Sequence, residues 1–151
     1  MEKRQRDDKA TVSRSRPMNC SACHSNGEKL MKNGWIGCDL DGTLAFYDGW
    51  RGETHIGKPI PQMVGRVKSW LAEGLDVRIF TARIAEAENN HDGTKHDIAA
   101  VADAIEIWCE KHIGQKLIIT NKKDFGMICL YDDRAIQVEA NTGRLLNDGQ
   151  E

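Results

Sequence analysis

The feature that most constrains this chain is a short apolar run that ends in two carboxylates with one residue between them. Residues 35–38 are Trp-Ile-Gly-Cys, and they are followed by Asp39, Leu40, Asp41 and Gly42. An apolar run of this length before a glycine turn predicts a buried strand. Ligands bind at the carboxyl ends of strands in open parallel sheets, and two like charges this close favour a cation or a shared proton. The alternative is a structural Asp-Gly turn without chemistry.

Three further apolar runs end in groups that handle phosphate or metal. Residues 75–80 precede Thr81, residues 117–120 precede Asn121 and two lysines, and residues 127–131 precede two aspartates. Because all four runs end in groups of this kind, we expect one site built from several strand ends.

The apolar runs alternate with helical stretches. Apolar residues recur at helical spacing between Pro61 and Gly74 and over about residues 97–112. The order strand, helix, strand, helix, strand, strand predicts an α/β fold with a doubly wound parallel sheet.

Together these motifs resemble those of the haloacid dehalogenase-like superfamily of phosphohydrolases, over roughly residues 34–140. The superfamily's motifs are Asp-x-Asp-x-Thr, then Thr or Ser, then Lys, then paired Asp, and all are present here in that order. The final Asp-Asp-Arg is also similar to the phosphatase half of polynucleotide kinase-phosphatases and to small phosphatase-like proteins of bacteriophages. The resemblance implies a Rossmann-like sheet with a phosphate site at its carboxyl edge.

The resemblance also implies a catalytic role for each motif. Asp39 would be the nucleophile that forms an aspartyl-phosphate, and Asp41 would be the general acid and base. Thr81 would donate a hydrogen bond to a phosphoryl oxygen. Lys123 would offset the charge of the transition state, although the spacing leaves Lys122 open for the same role.

A magnesium ion is the implied cofactor, because the matching residues offer oxygen ligands alone. The implied ligands are the carboxylates of Asp39, Asp132 and Asp133 and the backbone carbonyl of Asp41. A metal in this position would remove the repulsion between an anionic nucleophile and a phosphate ester.

Three more residues are candidates for substrate binding. Arg83 and Arg134 each suit a second phosphate or a carboxylate, and a salt bridge with Asp133 or a helix end is an equal alternative. Thr43 belongs to the first motif, where we expect it to orient the turn rather than to react.

The two places where this superfamily inserts cap domains are short in this chain. Residues 45–60 leave room only for a flap, and residues 84–96 leave room only for a loop. The chain therefore resembles a member without a substantial cap, which predicts an open site that admits large substrates. Phe46, Tyr47 and Trp50 would either stack on a base or pack the flap onto the core.

The net charge of −2 divides into +4 over residues 1–33 and −6 over residues 34–151. We expect residues 1–33 to be a flexible basic tail and linker, and residues 34–151 to be the phosphatase domain. An acidic body suits a cation site and does not suit a broad nucleic-acid surface.

Five cysteines leave at least one thiol unpaired, so a reducing cytoplasm is the simplest setting. Cys20, Cys23 and His24 supply at most three of the four ligands that a structural zinc needs, so binding of a metal there and its absence are both open. No apolar run approaches the ~20 residues of a membrane span, and the N-terminus does not read as a secretory signal. The sequence leaves the oligomeric state open.

The sequence thus predicts a magnesium-dependent phosphatase that acts on a phosphate monoester, with a nucleotide or a polynucleotide end as the candidate substrate. Two alternatives remain open. One is a phosphatase of small molecules such as sugar phosphates, and the other is a catalytically quiet nucleic-acid-binding or interaction module on the same fold.

Overall fold

The computed structural model of this chain describes residues 34–90 and 92–146. The predicted tail and the candidate ligands Cys20, Cys23 and His24 lie outside the described residues. None of the helices in the described ranges has the length and apolar character needed to span a membrane.

Four parallel strands form one sheet. They are β1 (Trp35–Asp39), β2 (Asp76–Phe80), β3 (Ile118–Thr120) and β4 (Met127–Tyr131), in the spatial order β3-β2-β1-β4. The chain therefore steps outward from β1 to β3 and then returns to the other side of β1. Such a reversal is the place where open α/β sheets bind ligands.

Two helices connect the first three strands. Helix α1 (Pro61–Ala72) begins with a proline at its first turn and is followed by Gly74 at φ +79°, a left-handed conformation that ends a helix. Helix α2 (Ile98–His112) is capped by Asp97, whose side chain accepts a hydrogen bond of 3.1 Å from Ala100 N. The helix positions predicted from the sequence are confirmed to within a residue or two.

Both helices pack on one face of the sheet. Trp70 of α1 lies 4.8 Å, centroid to centroid, from the ring of Tyr131, whose partner in β1 is Cys38. Cys109 of α2 is buried in the same cluster, and burial, then Asp39, then Cys109 raise the pKa of the Cys38 thiol to about 12. Two right-handed crossovers that step in the same direction place their helices on the same face.

The opposite face is crossed by the β3–β4 connection, residues 121–126. Trp35 faces this side, and its indole N–H donates to Asp124 Oδ1 at 2.8 Å while the Arg78 guanidinium lies 4.7 Å from its ring centroid. The α/β class and the parallel sheet are confirmed. Within the described residues, however, helices cover one face only, so helices on both faces are not seen there.

Candidate active site

Three carboxylates meet where β1 and β4 end. Asp39 closes β1, Asp132 and Asp133 follow β4, and each offers an oxygen within 4.8 Å of the other two. Asp39 and Asp132 are half-buried, whereas Asp133 is exposed. The neighbouring strands β1 and β4 thus bring together residues that are more than 90 positions apart in the sequence.

The electrostatics of this cluster fit a cation. Burial, followed by the charges of Asp132, Asp41 and Asp133, raises the pKa of Asp39 to about 7. A carboxylate whose charge is disfavoured in this way is stabilised by a positive ion beside it. Oxygen atoms alone form the donor set, which suits Mg²⁺ better than a softer metal.

The turn after β1 packs closely against Asp133 in the loop after β4. Gly42 adopts φ +90°, and a Cβ at this position would lie 2.7 Å from Asp133 Oδ2. The Thr43 hydroxyl accepts a hydrogen bond of 3.0 Å from Asp133 N and lies 3.4 Å from Asp133 Oδ1. Thr43 therefore orients the second carboxylate of the pair, in line with the role expected for it in the turn.

A cavity of about 490 Å³ opens at these strand ends. Six of the residues predicted from the sequence line it: Asp39, Asp41, Thr81, Arg83, Asp132 and Arg134. The motif order therefore predicted a set of side chains that the fold does bring to one cavity.

Thr81 is the buried polar residue of this set, with 2% of its surface exposed. Its backbone N–H donates to Thr120 O at 2.9 Å, and its hydroxyl oxygen accepts from Arg83 N at 3.2 Å. The second bond caps the single 3₁₀ turn Ala82–Ile84 that follows. Because the hydroxyl oxygen acts here as an acceptor, its proton remains available for a phosphoryl oxygen.

The Arg83 side chain binds a carboxylate of the protein, that of Asp41. Its Nε donates to Asp41 Oδ2 at 2.6 Å and its Nη2 to Asp41 Oδ1 at 2.8 Å, in the two-pronged geometry typical of strong arginine–carboxylate pairs. The same guanidinium donates to the carbonyl oxygens of Glu53 at 2.6 Å and His55 at 2.8 Å. The salt-bridge alternative is therefore the observed one, with Asp41 as the partner instead of Asp133.

Arg83 thus joins Asp41 to the flap, residues 45–60. Its side chain is 8% exposed and that of Asp41 is 19% exposed, so the pair is largely shielded from water. The four hydrogen bonds use four of the five N–H groups of a guanidinium. One side chain therefore contacts both the flap, at Glu53 and His55, and the carboxylate of Asp41.

A second contact, centred on Glu53, joins the flap to the 84–96 loop and the start of α2. Glu53 Oε2 accepts from Asn90 Nδ2 at 2.9 Å and from Asp97 N at 3.1 Å, and it lies 2.9 Å from His96 Nδ1. The three hydrogen bonds, that of Asn90 first, hold the pKa of Glu53 below its usual range. We call this group, Glu53 with Asn90, His96 and Asp97, the Glu53 clasp.

The remaining residues predicted from the motifs do not line the cavity in the described structure. Lys122 and Lys123 are exposed beyond β3, and Lys122 Nζ lies 3.9 Å from Glu86 Oε1, both side chains being more than 80% exposed. Asp133 is at the rim of the acidic cluster, and Thr43 supports it from the neighbouring turn. A catalytic lysine therefore stays a prediction from the motif order alone.

Sequence reasoning missed the residues of the Glu53 clasp. Glu53, Asn90 and His96 all line the cavity, yet none belongs to a recognisable motif. The available signal was a set of polar side chains in two segments already marked as loops. Nothing in their spacing indicates that they bind one another.

Comparisons with protein-family models, with curated proteins and with solved structures find no match to this chain. A functional assignment therefore depends on the residues and the geometry of the cavity.

Proposed function

We propose that this protein is a magnesium-dependent phosphatase of the haloacid dehalogenase-like type, with a Rossmann-like core, that hydrolyses a phosphate monoester through an aspartyl-phosphate. The observation that carries the proposal is the meeting of Asp39, Asp132 and Asp133 beside a cavity that Asp41 and Thr81 also line. The order of the motifs along the chain supports it independently.

Asp39 is the nucleophile in this scheme. A carboxylate oxygen of Asp39 attacks phosphorus while the bond from phosphorus to the leaving oxygen breaks, and the phosphoryl group is transferred to the aspartate. The Thr81 hydroxyl donates to a phosphoryl oxygen, and Arg134 at the cavity wall supplies positive charge. When bound, Mg²⁺ offsets the charges of the carboxylates and of the phosphoryl oxygens, so that one anion can approach another.

Asp41 moves the protons. It protonates the leaving alkoxide in the first step, and it takes a proton from the water that attacks the aspartyl-phosphate in the second. Inorganic phosphate is released and Asp39 is regenerated. Arg83 holds both oxygens of Asp41 as a carboxylate, which is the form that takes a proton from water in the second step. To protonate the leaving alkoxide in the first step, Asp41 must first gain a proton and release one of these two bonds.

Phosphate release from a panel of phosphate monoesters, with and without magnesium, tests the proposal. We expect hydrolysis that needs magnesium and stops in a chelator, and an Asp39→Asn variant without turnover that retains its fold. Mass spectrometry after acid quenching should locate a phosphoryl group on Asp39 of the wild-type protein.

Asp103→Asn is the matched control, because this carboxylate is exposed on α2 and does not line the cavity. It should hydrolyse substrates at the wild-type rate. Full activity in the chelator, or turnover by Asp39→Asn within tenfold of wild type, would overturn the proposal.

A further inference from the structure

The cavity has a second wall beyond the strand ends. Whereas Asp39, Asp41, Thr81 and Asp132 come from the sheet edge, the flap and the 84–96 loop contribute another part of the lining. The residues used here are Tyr47, Trp50, Asn89 and His96, and we call them the flap–loop wall. Two of the four, Tyr47 and Trp50, carry a large aromatic ring, and all four carry a polar group.

The aromatic residues of this wall differ from their neighbour in the flap. Tyr47 and Trp50 line the cavity, whereas Phe46 is 59% exposed and is not part of the described lining. The three aromatic residues were equivalent candidates for stacking in the sequence. In the structure, Tyr47 and Trp50 line the cavity and Phe46 does not.

Trp50 of this wall is held by contacts within the protein. The Trp50 indole N–H donates to Asp92 Oδ2 at 2.7 Å, and the Arg83 guanidinium carbon lies 5.9 Å from the centroid of the Trp50 ring. Asp92 thus binds the N–H edge of the indole, and Arg83 lies against its ring. A preorganised aromatic surface loses little conformational entropy when a ligand stacks on it.

His96 is fixed in the same way by the Glu53 clasp. Its side chain is 6% exposed, and its Nδ1 carries the proton of the 2.9 Å bond, because the Glu53 carboxylate that it faces can only accept. The other ring nitrogen, Nε2, is therefore the one left for a polar group of a ligand. Histidine placed by a carboxylate is a common way to fix the ring's orientation.

The size of the cavity suits a small molecule. Its volume of about 490 Å³ lies within the ~300–1,000 Å³ typical of small-ligand sites. A phosphate at the strand ends, a sugar and one base occupy a cavity of this order. A sugar phosphate alone would leave the aromatic side chains of the wall in contact with water.

We propose that the flap–loop wall is a binding site for the planar aromatic base of the substrate's leaving group, so that the substrate is a nucleoside monophosphate. This inference rests on the proposed function, because it assigns the phosphate of the same molecule to the strand ends. Stacking on Tyr47 and Trp50 provides the recognition, since every base offers a flat face to an aromatic side chain.

The test compares a phosphorylated sugar without a base with nucleotides that carry one. Values of kcat/KM are measured for ribose 5-phosphate and for the 5′- and 3′-monophosphates of adenosine, guanosine, cytidine and uridine. We expect at least one nucleotide to be preferred over ribose 5-phosphate by tenfold or more. Trp50→Leu and Tyr47→Leu should each reduce that preference about tenfold, because the loss of kcat/KM through KM is larger for the nucleotide than for ribose 5-phosphate.

Phe46→Leu is the matched control, because it removes an aromatic ring from the same flap but outside the cavity lining. It should keep the wild-type preference. Equal kcat/KM for ribose 5-phosphate and for every nucleotide would overturn the inference. Equal losses on both kinds of substrate in Trp50→Leu would also overturn it.

A binding measurement separates this inference from the proposed function. If the wild-type protein hydrolyses none of these esters, calorimetric titration with adenosine monophosphate and with ribose 5-phosphate decides the matter. Tighter binding of the nucleotide that is lost in Trp50→Leu and kept in Phe46→Leu supports the base site although the hydrolase proposal has failed. Equal affinities for the two compounds contradict the base site.

Discussion

The edge of the sheet and the flap–loop wall build the same cavity in different ways. At the sheet edge, side chains are placed by backbone: Asp39 follows directly from the register of β1, and Thr81 and Asp132 from the ends of β2 and β4. In the flap and loop, side chains are placed by other side chains, through Arg83 and the Glu53 clasp. The comparison suggests that chemistry belongs to the first region, and that position and selectivity belong to the second.

This division predicts which property each variant changes. A substitution at a strand end should lower the rate and leave the fold intact, because the backbone of the sheet does not depend on the side chain. A substitution in the flap or loop contacts should lower stability and open the flap, with a smaller effect on the chemical step.

After Asp39→Asn, the largest effect is expected for Asp41→Asn. Loss of a general acid and base typically costs about 10²–10⁴ in rate. The amide oxygen can still accept one hydrogen bond from Arg83, but the ion pair is lost, so a loss of stability is expected beside the loss of rate. The loss should shrink on nitrophenyl phosphate, whose leaving group needs little protonation. Steady-state kinetics on an alkyl and a nitrophenyl ester would measure the loss of rate and its dependence on the leaving group. Thermal unfolding would measure the effect on stability. The same fractional loss on both esters would contradict the acid role.

Arg83→Gln should give the next largest effect, and it should appear in stability as well as in rate. Removing one partner of a buried ion pair typically costs about 3–5 kcal/mol, and the 19% exposure of Asp41 places this pair near the lower end. The flap should also open, since two of its carbonyl groups lose their donor. Denaturant unfolding and hydrogen exchange over residues 45–60 would measure the two effects.

Arg51→Gln provides the control for that experiment. Arg51 lies in the same flap and pairs with Asp48, but both side chains are exposed. Exposed pairs contribute about 0–1 kcal/mol, so little change in unfolding or exchange is expected. Equal effects in the two arginine variants would show that the flap is not held by Arg83 in particular.

Glu53→Gln should have a smaller effect on stability, since hydrogen bonds to a charged acceptor are lost or weakened while the shape is kept. Faster hydrogen exchange is expected in the flap and in the 84–96 loop together, because the Glu53 clasp joins them. Glu88→Gln, an exposed carboxylate of the same loop, is the control. Faster exchange confined to one of the two segments would argue against a clasp.

The same comparison explains what the sequence could predict. The strands, both helices and the clustering of Asp39, Thr81 and Asp132 follow from local patterns, because a parallel sheet gathers its carboxyl ends at one edge. Glu53 finds its partners Asn90 and His96 at separations of 37 and 43 positions. No local pattern encodes such a contact, since it depends on how two irregular segments pack over the sheet.

The degree to which the cavity is enclosed was not predictable for the same reason. Short insertions at residues 45–60 and 84–96 indicated a flap and a loop in place of a cap domain, because neither segment is long enough to form one. The contacts made by Glu53 and Arg83 show that two short segments together build a wall. Segment length therefore indicated the absence of a cap domain, but it did not predict how far the cavity is enclosed.

Thr43→Val is the smallest of the expected effects, and it sharpens the comparison at the sheet edge itself. The substitution keeps the shape of the side chain and removes the hydroxyl that accepts from Asp133 N at 3.0 Å. The hydroxyl also donates to Asp133 Oδ1 at 3.4 Å, and each hydrogen bond of this kind contributes about 0.5–1.5 kcal/mol to stability. Because Asp133 would lose its orientation, the magnesium concentration for half-maximal activity should rise severalfold, while KM for the phosphate ester stays near wild type. Thr43→Ser keeps the hydroxyl, so its stability and its magnesium requirement should both be those of the wild-type protein. A higher KM with unchanged magnesium dependence would instead place Thr43 against the substrate, and would show that a residue supporting the metal cluster also takes part in recognition.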